Sequence, residues 1–500
     1  MVRGCVRLLD RPWMNGAQNS SLQEFGRLIA RSTFYGSAVL TIGVLLLLVL
    51  LPGRSLSQAE EPRIRINSIT LKGNRVTKER IIIRELVCAE GDTVSSEEMY
   101  ERFERSRQNL MNTGLFNTVS VLPFYTGRYE VTVEVVVNER WYLWPSIIFD
   151  LADPNFNTWW LTKDFSRVNY GAYLYRYNMR GRNETGYVLA QFGYTKQFGA
   201  RYRVPNLDQR QRWGFNVGVS YDEQAEITAG TVDNKRILLR NDNGSNRDQW
   251  KADMEVILRR SHDVRHYFRA KYTQAEVADT IVQVARDYFN GSSTDSHFIS
   301  LGYSVVHDKR DSRVFTRTGQ YQELRIDRIG IGLLSKAAPD ITTVYGTTKH
   351  WWKVHDKWTL ALALHGKFTV GVPSYYAQEG LGYRNYVRGY EYYVIDGAHY
   401  TLGRANVVFQ LFKPRYLRME LMPLEAFRTL YFALYLNFFS DVGRVWDNRY
   451  ADVNFLANRW INGSGVGLDL VTSYDQVVRG EYTFNALGEH GFFLHFTQPF

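Results

Sequence analysis

From Trp141 to Phe500 the chain alternates. Trp358, Leu360, Leu362 and Leu364 share one parity, with Thr359, Ala361, Ala363 and His365 on the other. Phe432, Leu434, Leu436 and Phe438 stand likewise against Tyr435 and Asn437; Phe215, Val217, Val219 and Tyr221 share a face, as do Tyr173, Tyr175 and Tyr177. Period two marks strands with one apolar face, and Gly, Asn, Asp and Ser separate the segments. The last stretch puts Phe492, Leu494, Phe496 and Phe500 on one parity, opposite His495 and Thr497. Such an edge invites aggregation in water. It suits a strand closing a barrel in lipid, with the terminal aromatic at the membrane interface. A soluble β-sandwich also alternates, but rarely runs for 360 residues as one domain.

Composition favours the barrel. The chain holds 33 Tyr, 28 Phe and 12 Trp, yet its mean hydropathy is −0.33. Strands that alternate lipid-facing and water-facing residues between aromatic girdles give that combination. The net charge of +10 comes from dispersed basic residues, with neither zinc-ligand spacing nor a compact basic helix, so nucleic acid is not an expected partner. Val39–Leu51 is an apolar run preceded by Arg27 and Arg31 and followed by Ser57-Gln58-Ala59. It is short for a membrane span and reads as a signal peptide, residues 1–59, cleaved after Ala59; a start at Met14 or a retained anchor is the other reading. Cys5 lies in that segment, which leaves Cys88 alone as a small buried residue.

Residues 62–140 read as a compact α+β domain of order β-α-α-β-β. Ile64, Ile66, Ile69 and Leu71 precede the turn Gly73-Asn74. Thr77 is the expected N-cap of a first helix carrying Ile81, Ile82, Glu85 and Leu86. After Gly91-Asp92, Ser95 or Ser96 caps a second helix whose face is Met99, Phe103, Ser106 and Leu110, ended by Gly114. Two strands follow, Phe116 to Leu122 and Tyr129 to Val137. The Gly73-Asn74 turn, the Gly91-Asp92 break, Leu110 to Val119 and the closing Val133 to Glu139 strand resemble a POTRA domain. That resemblance implies a periplasmic module that binds clients by lending a sheet edge.

Three later stretches carry a second resemblance. They are Val387-Arg388-Gly389-Tyr390 within a segment starting at Leu381, Phe439-Ser440-Asp441-Val442-Gly443-Arg444-Val445-Trp446, and Asp308-Lys309-Arg310-Asp311 followed by Thr318-Gly319. In this order, behind one POTRA-like domain, they resemble the BamA-like outer-membrane assembly superfamily, the bacterial surface antigen family. The likeness implies a mainly β fold: a sixteen-stranded antiparallel transmembrane barrel over 141–500. It also implies that Val387, Arg388, Gly389 and Tyr390 form the tip of a loop folded into the lumen. Asp441 has the parity of Asn437 and Gly443, opposite the apolar face, so it is expected to point inward and accept from Arg388. BamA-like barrels carry a lumenal Glu before a proline on the strand after this loop; the matching position is Gln410, before Pro414. Asp469, opposite Val466, Leu468 and Leu470, is a further expected lumenal carboxylate.

No site chemistry competes with this reading. His262 and His266 are spaced i, i+4 without the Glu of a zinc-protease motif; no nucleophile elbow or phosphate-binding loop is present, so neither an enzyme nor a cofactor or metal is expected. By resemblance the chain is an assembly factor in the bacterial outer membrane, its POTRA domain in the periplasm, that folds and inserts other barrels. Its expected partners are unfolded outer-membrane clients, membrane lipids and accessory lipoproteins or chaperones. A seam between first and last strands would open to pair with a client strand. Pro499, lacking an N–H, would weaken that seam among the closing residues Phe496, Pro499 and Phe500. The alternative is a dedicated translocator secreting one protein substrate. Such proteins usually carry two POTRA domains and a plug helix, which residues 60–63 leave no room for.

Overall fold

The computed structural model describes residues 63–151, 168–241, 244–331, 334–335 and 337–495. The expected signal peptide and the closing residues Phe496, Pro499 and Phe500 lie outside them.

The first unit is a four-stranded sheet against two helices. Strand β1 (Ile64–Lys72) leads to helix α1 (Glu79–Ile83), the two-residue β2 (Thr93–Val94), helix α2 (Ser96–Met111), β3 (Phe116–Gly127) and β4 (Glu130–Glu139). The order across the sheet is β2-β1-β4-β3, with β1 parallel to β4 and the other pairs antiparallel. The expected β-α-α-β-β order holds except for the added β2. Ser95 caps α2 by accepting from the Glu98 N–H at 3.2 Å, and Met99, Phe103, Ser106 and Leu110 form its buried face. Thr77 is not the cap of α1; Lys78 takes that position without a side-chain bond. The Thr77 hydroxyl instead accepts from Asn178 at 2.8 Å, being drawn to the junction with the next unit.

The second unit runs through β5 (Leu143–Leu151), β6 (Val168–Met179), β7 (Glu184–Gly193), β8 (Thr195–Val204) and β9 (Trp213–Gln224). A separate hairpin follows, β10 (Glu226–Val232) and β11 (Lys235–Arg240). Then come β12 (Arg247–Arg259), β13 (Val264–Val277), β14 (Asp295–Asp308), β15 (Gly319–Ile331), β16 (Ile341–His355) and β17 (Trp358–Val370). The chain finishes with β18 (His399–Arg418), β19 (Thr429–Trp446), β20 (Trp460–Thr472), β21 (Val477–Asn485) and β22 (His490–His495). Apart from the hairpin, these form one sixteen-stranded antiparallel sheet in sequence order, with β5 and β22 at its ends. No ladder joins β5 to β22 among the described residues.

Alternation sets the two faces. On β17, Leu362, Leu364, Phe368 and Val370 are exposed while Thr359, Ala361, Ala363, His365, Lys367 and Thr369 are buried. On β19, Phe438 and Val442 face out, and Asn437 and Asp441 are fully enclosed. The apolar face is outside and the polar face inside, the arrangement of a barrel in lipid. Among the described residues no helix is long and apolar enough to cross a membrane. The first unit touches several turns along the near rim. Lys78 N–H donates to Gly181 O at 2.9 Å, Gln211 to Arg80 O at 2.9 Å, Arg313 N–H to Asn112 at 2.9 Å and Asn117 to Ala426 O at 2.9 Å. Arg140 forks onto Asp475 at 2.7 and 2.9 Å, and Trp144 of β5 packs edge-on to Tyr474, 5.1 Å between centroids. The sheet is thereby curled until its first strand meets the turn before β21.

Replacing outward Leu364 by Arg is expected to cost about 2–4 kcal/mol in lipid, whereas inward Ala363→Ser costs much less. Unfolding of both variants from lipid vesicles checks this; equal losses would contradict the assigned faces.

Candidate functional site

The connection from β17 to β18 folds back into the barrel. Leu381 bridges to Ile395 at its neck. Val387, Tyr390, Leu381 and Ile395 pack into one buried cluster with Tyr400, Leu402, Val445, Leu456 and Ile461. This apolar seating positions Arg388, 3% exposed, against fully buried Asp441. Its Nη2 donates to Asp441 Oδ1 at 2.5 Å, its Nε to Oδ2 at 2.9 Å, and its backbone N–H to Oδ2 at 3.2 Å. Nη2 also reaches Asn406 at 2.7 Å, and the guanidinium lies 3.8 Å over the Phe439 ring. A planar fork matches this set of acceptors and the aromatic face together.

Register places the rest of the cluster. Arg404 lies directly across from Asp441, at 3.5 Å, and donates to Tyr386 O at 2.7 Å. Asp469 lies across from Arg479 and is ion-paired with it. Arg479 also approaches Glu481 at 3.1 Å, and Glu481 lies 3.5 Å from Arg388 and 3.4 Å from His495 on β22. Three guanidiniums thus face three carboxylates inside the barrel. The match in charge matters because an uncompensated buried ion costs several kcal/mol.

The wall is notched to admit the loop. A Cβ on Gly463 would meet Arg388 O at 1.8 Å, and one on Gly443 would meet Val387 Cγ2 at 2.6 Å. Gly389 takes φ +90°, and its carbonyl accepts at 2.7 Å from Asn485, the last residue of β21. The Tyr390 hydroxyl accepts from the Ala486 N–H at 3.3 Å. The loop also meets the last strand: Tyr392 lies 5.5 Å from Phe493 and Tyr386 stacks 6.2 Å from His495. The four-residue tip therefore holds the final hairpin as well as β19.

One expected partner is placed elsewhere. Gln410 faces inward and is buried, but it accepts from Arg317 at 2.8 Å near the POTRA rim, not from Arg388. It follows Asn406 by four residues, roughly 13 Å along a strand, beyond the reach of Arg388. Asp469 joins the cluster through Arg479 and Glu481 rather than by bonding Arg388. Asn406, Arg404, Glu481, Arg479 and Gly463 were not anticipated. Inward parity opposite exposed Val407, and opposite exposed Tyr482 and Phe484, was the available signal for Asn406, Arg404, Arg479 and Glu481. His262 and His266 have separate partners, Arg84 O and the Tyr303 hydroxyl, each at 2.8 Å. Among the described residues no cluster of His, Cys, Asp or Glu is placed to hold a metal.

Arg388→Ala is expected to destabilise the folded barrel by about 3–5 kcal/mol, because it strands a buried carboxylate. Arg388→Lys should recover little, since a point charge cannot serve Asp441 and Asn406 in two directions. Denaturant unfolding followed by tryptophan fluorescence tests both; full stability in the lysine variant would contradict the fork.

The sequence matches the Omp85 superfamily domain over residues 178–478 and the POTRA model, described as surface antigen variable number repeat, over 64–140. No curated protein matches it. Among solved structures, CdiB from Escherichia coli is similar with a TM-score of 0.50 and 12% identity, over 87% of this chain and 74% of that one. BamA from Haemophilus ducreyi lacking POTRA domains 1-3 gives 0.46 and 12%, over 86% and 83%. CdiB from Acinetobacter baumannii gives 0.45 and 12%, over 86% and 73%. At this identity the likeness speaks to fold alone.

Proposed function

The chain belongs to the Omp85 superfamily, and from that premise we propose that it is a β-barrel assembly factor of the bacterial outer membrane, with its POTRA domain in the periplasm. It helps other outer-membrane proteins fold and insert. The observation that carries this reading is the seam. β5 and β22 end the sheet without a mutual ladder among the described residues. Unpaired N–H and C=O groups are costly in lipid. An edge of this kind therefore offers pairing to an incoming client strand, and the energy comes from backbone hydrogen bonding rather than from a chemical step. The Arg388 loop contacts β22 and the turn before it, so it holds one side of the seam in register while the other side moves. The outward faces of Ile147, Phe149, Phe492 and Leu494 beside the seam fit lipid as the surrounding solvent.

Depletion of the protein, followed by quantification of outer-membrane barrels and secreted proteins, tests the reading. A broad fall in barrels with unfolded precursors in the periplasm is expected. Loss of one exported protein with barrels unchanged would instead identify a dedicated translocator.

A further inference from the structure

A cavity of about 430 Å³ lies where the segment after α1 meets the inward faces of β8, β13, β14 and β15. Eight arginines and four carboxylates line it. The carboxylates are already engaged. Glu85 binds Arg259 at 2.5 Å, Asp263 binds Arg105 at 2.5 Å, and Asp308 binds Arg310 at 2.8 Å and Arg313 at 3.0 Å. Glu323 accepts the Tyr321 hydroxyl at 2.7 Å. Arg84, Arg203 and Arg265 have no carboxylate within ion-pair distance among the described residues, and Arg265 reaches only His262 O, at 3.5 Å. Burial, with Arg259 close by, pulls the Arg84 guanidinium down to about 10. It remains charged at neutral pH, with the like charges of Arg259 and Arg265 nearby.

We propose that this cavity binds a compact anion of the phosphate class, and that the bound anion holds the POTRA domain on the barrel rim. The three unpaired forks come from three separate elements, the end of α1, β8 and β13. A tetrahedral phosphate offers oxygens to several forks at once, whereas a carboxylate is satisfied by one. The volume is that of a small-molecule site. Arg265 shares the parity of Tyr267 and Arg269, opposite exposed Phe268, so the site opens to the lumen rather than to the lipid-facing wall. The phosphate comes either from a soluble compound or from a lipid headgroup at the rim.

The test uses the full chain and its Arg84→Gln/Arg265→Gln variant, both folded, with heat unfolding as the readout. Inorganic pyrophosphate is titrated at constant ionic strength in micelles. In parallel, phosphatidylglycerol is added to phosphatidylcholine vesicles. The parent is expected to gain a saturable rise in melting temperature. The variant should need at least about tenfold more anion, each lost charged hydrogen bond being worth 1.4 kcal/mol or more. Without anion the variant should melt no lower than the parent, because Arg84 and Arg265 have no carboxylate partner to lose and the like charge between them is removed. A rise with pyrophosphate assigns a soluble source, and one with phosphatidylglycerol alone assigns a headgroup. A rise with neither, or an equal rise in the variant, would overturn the site.

Discussion

The fork from Arg388 to Asp441 is the contact on which the interior is organised. Taking a guanidinium and a carboxylate out of water is expensive, and the pair is tolerable because almost every polar atom is answered. Asp441 receives two side-chain bonds and a backbone N–H from the same residue. Asn406 takes the remaining reach, and Phe439 covers the flat face. A loop tip fixed by direction, charge and stacking has one seat. Everything packed on it inherits that position, including Val387 in its apolar cluster and Gly389 under the last turn.

The wall is shaped around this loop. Large side chains point into lipid, and glycines at 443 and 463 leave the space that the loop backbone fills. The barrel's two edge strands are then brought together indirectly. Arg140 and Asp475 tie the POTRA linker to the turn before β21, and Trp144, Phe427 and Tyr474 pack there as an aromatic group. On the inner side, Tyr386 and Tyr392 lean on β22. Side chains thus hold the ends of the sheet near each other, and among the described residues no backbone ladder joins them.

Much of this was legible in the chain. Period two in β17 and β19 gave their faces, and the same parity argument turned Asp441 inward. The helix face Met99, Phe103, Ser106 and Leu110 followed from its spacing. Sequence reading failed where partners depend on depth along a strand. Gln410 has the right parity but the wrong height, and Glu481, from a strand with no recognised string, stands nearer to Arg388. Thr77 has the residue type of a local cap, but a tertiary bond from Asn178 takes its hydroxyl. The β10–β11 hairpin is not separable from the barrel by sequence: β10 alternates like the barrel strands, and its hydrogen-bond partner, β11, is what sets it apart.

The most direct measurement is a double-mutant cycle on the fork, with Arg388→Ala, Asp441→Ala and both together, scored by unfolding free energy in lipid. A coupling above about 1 kcal/mol is expected, the double variant losing less than the sum of the singles because neither charge is left stranded. Additive losses would mean that Arg388 and Asp441 act independently, and the fork would not be what holds the loop.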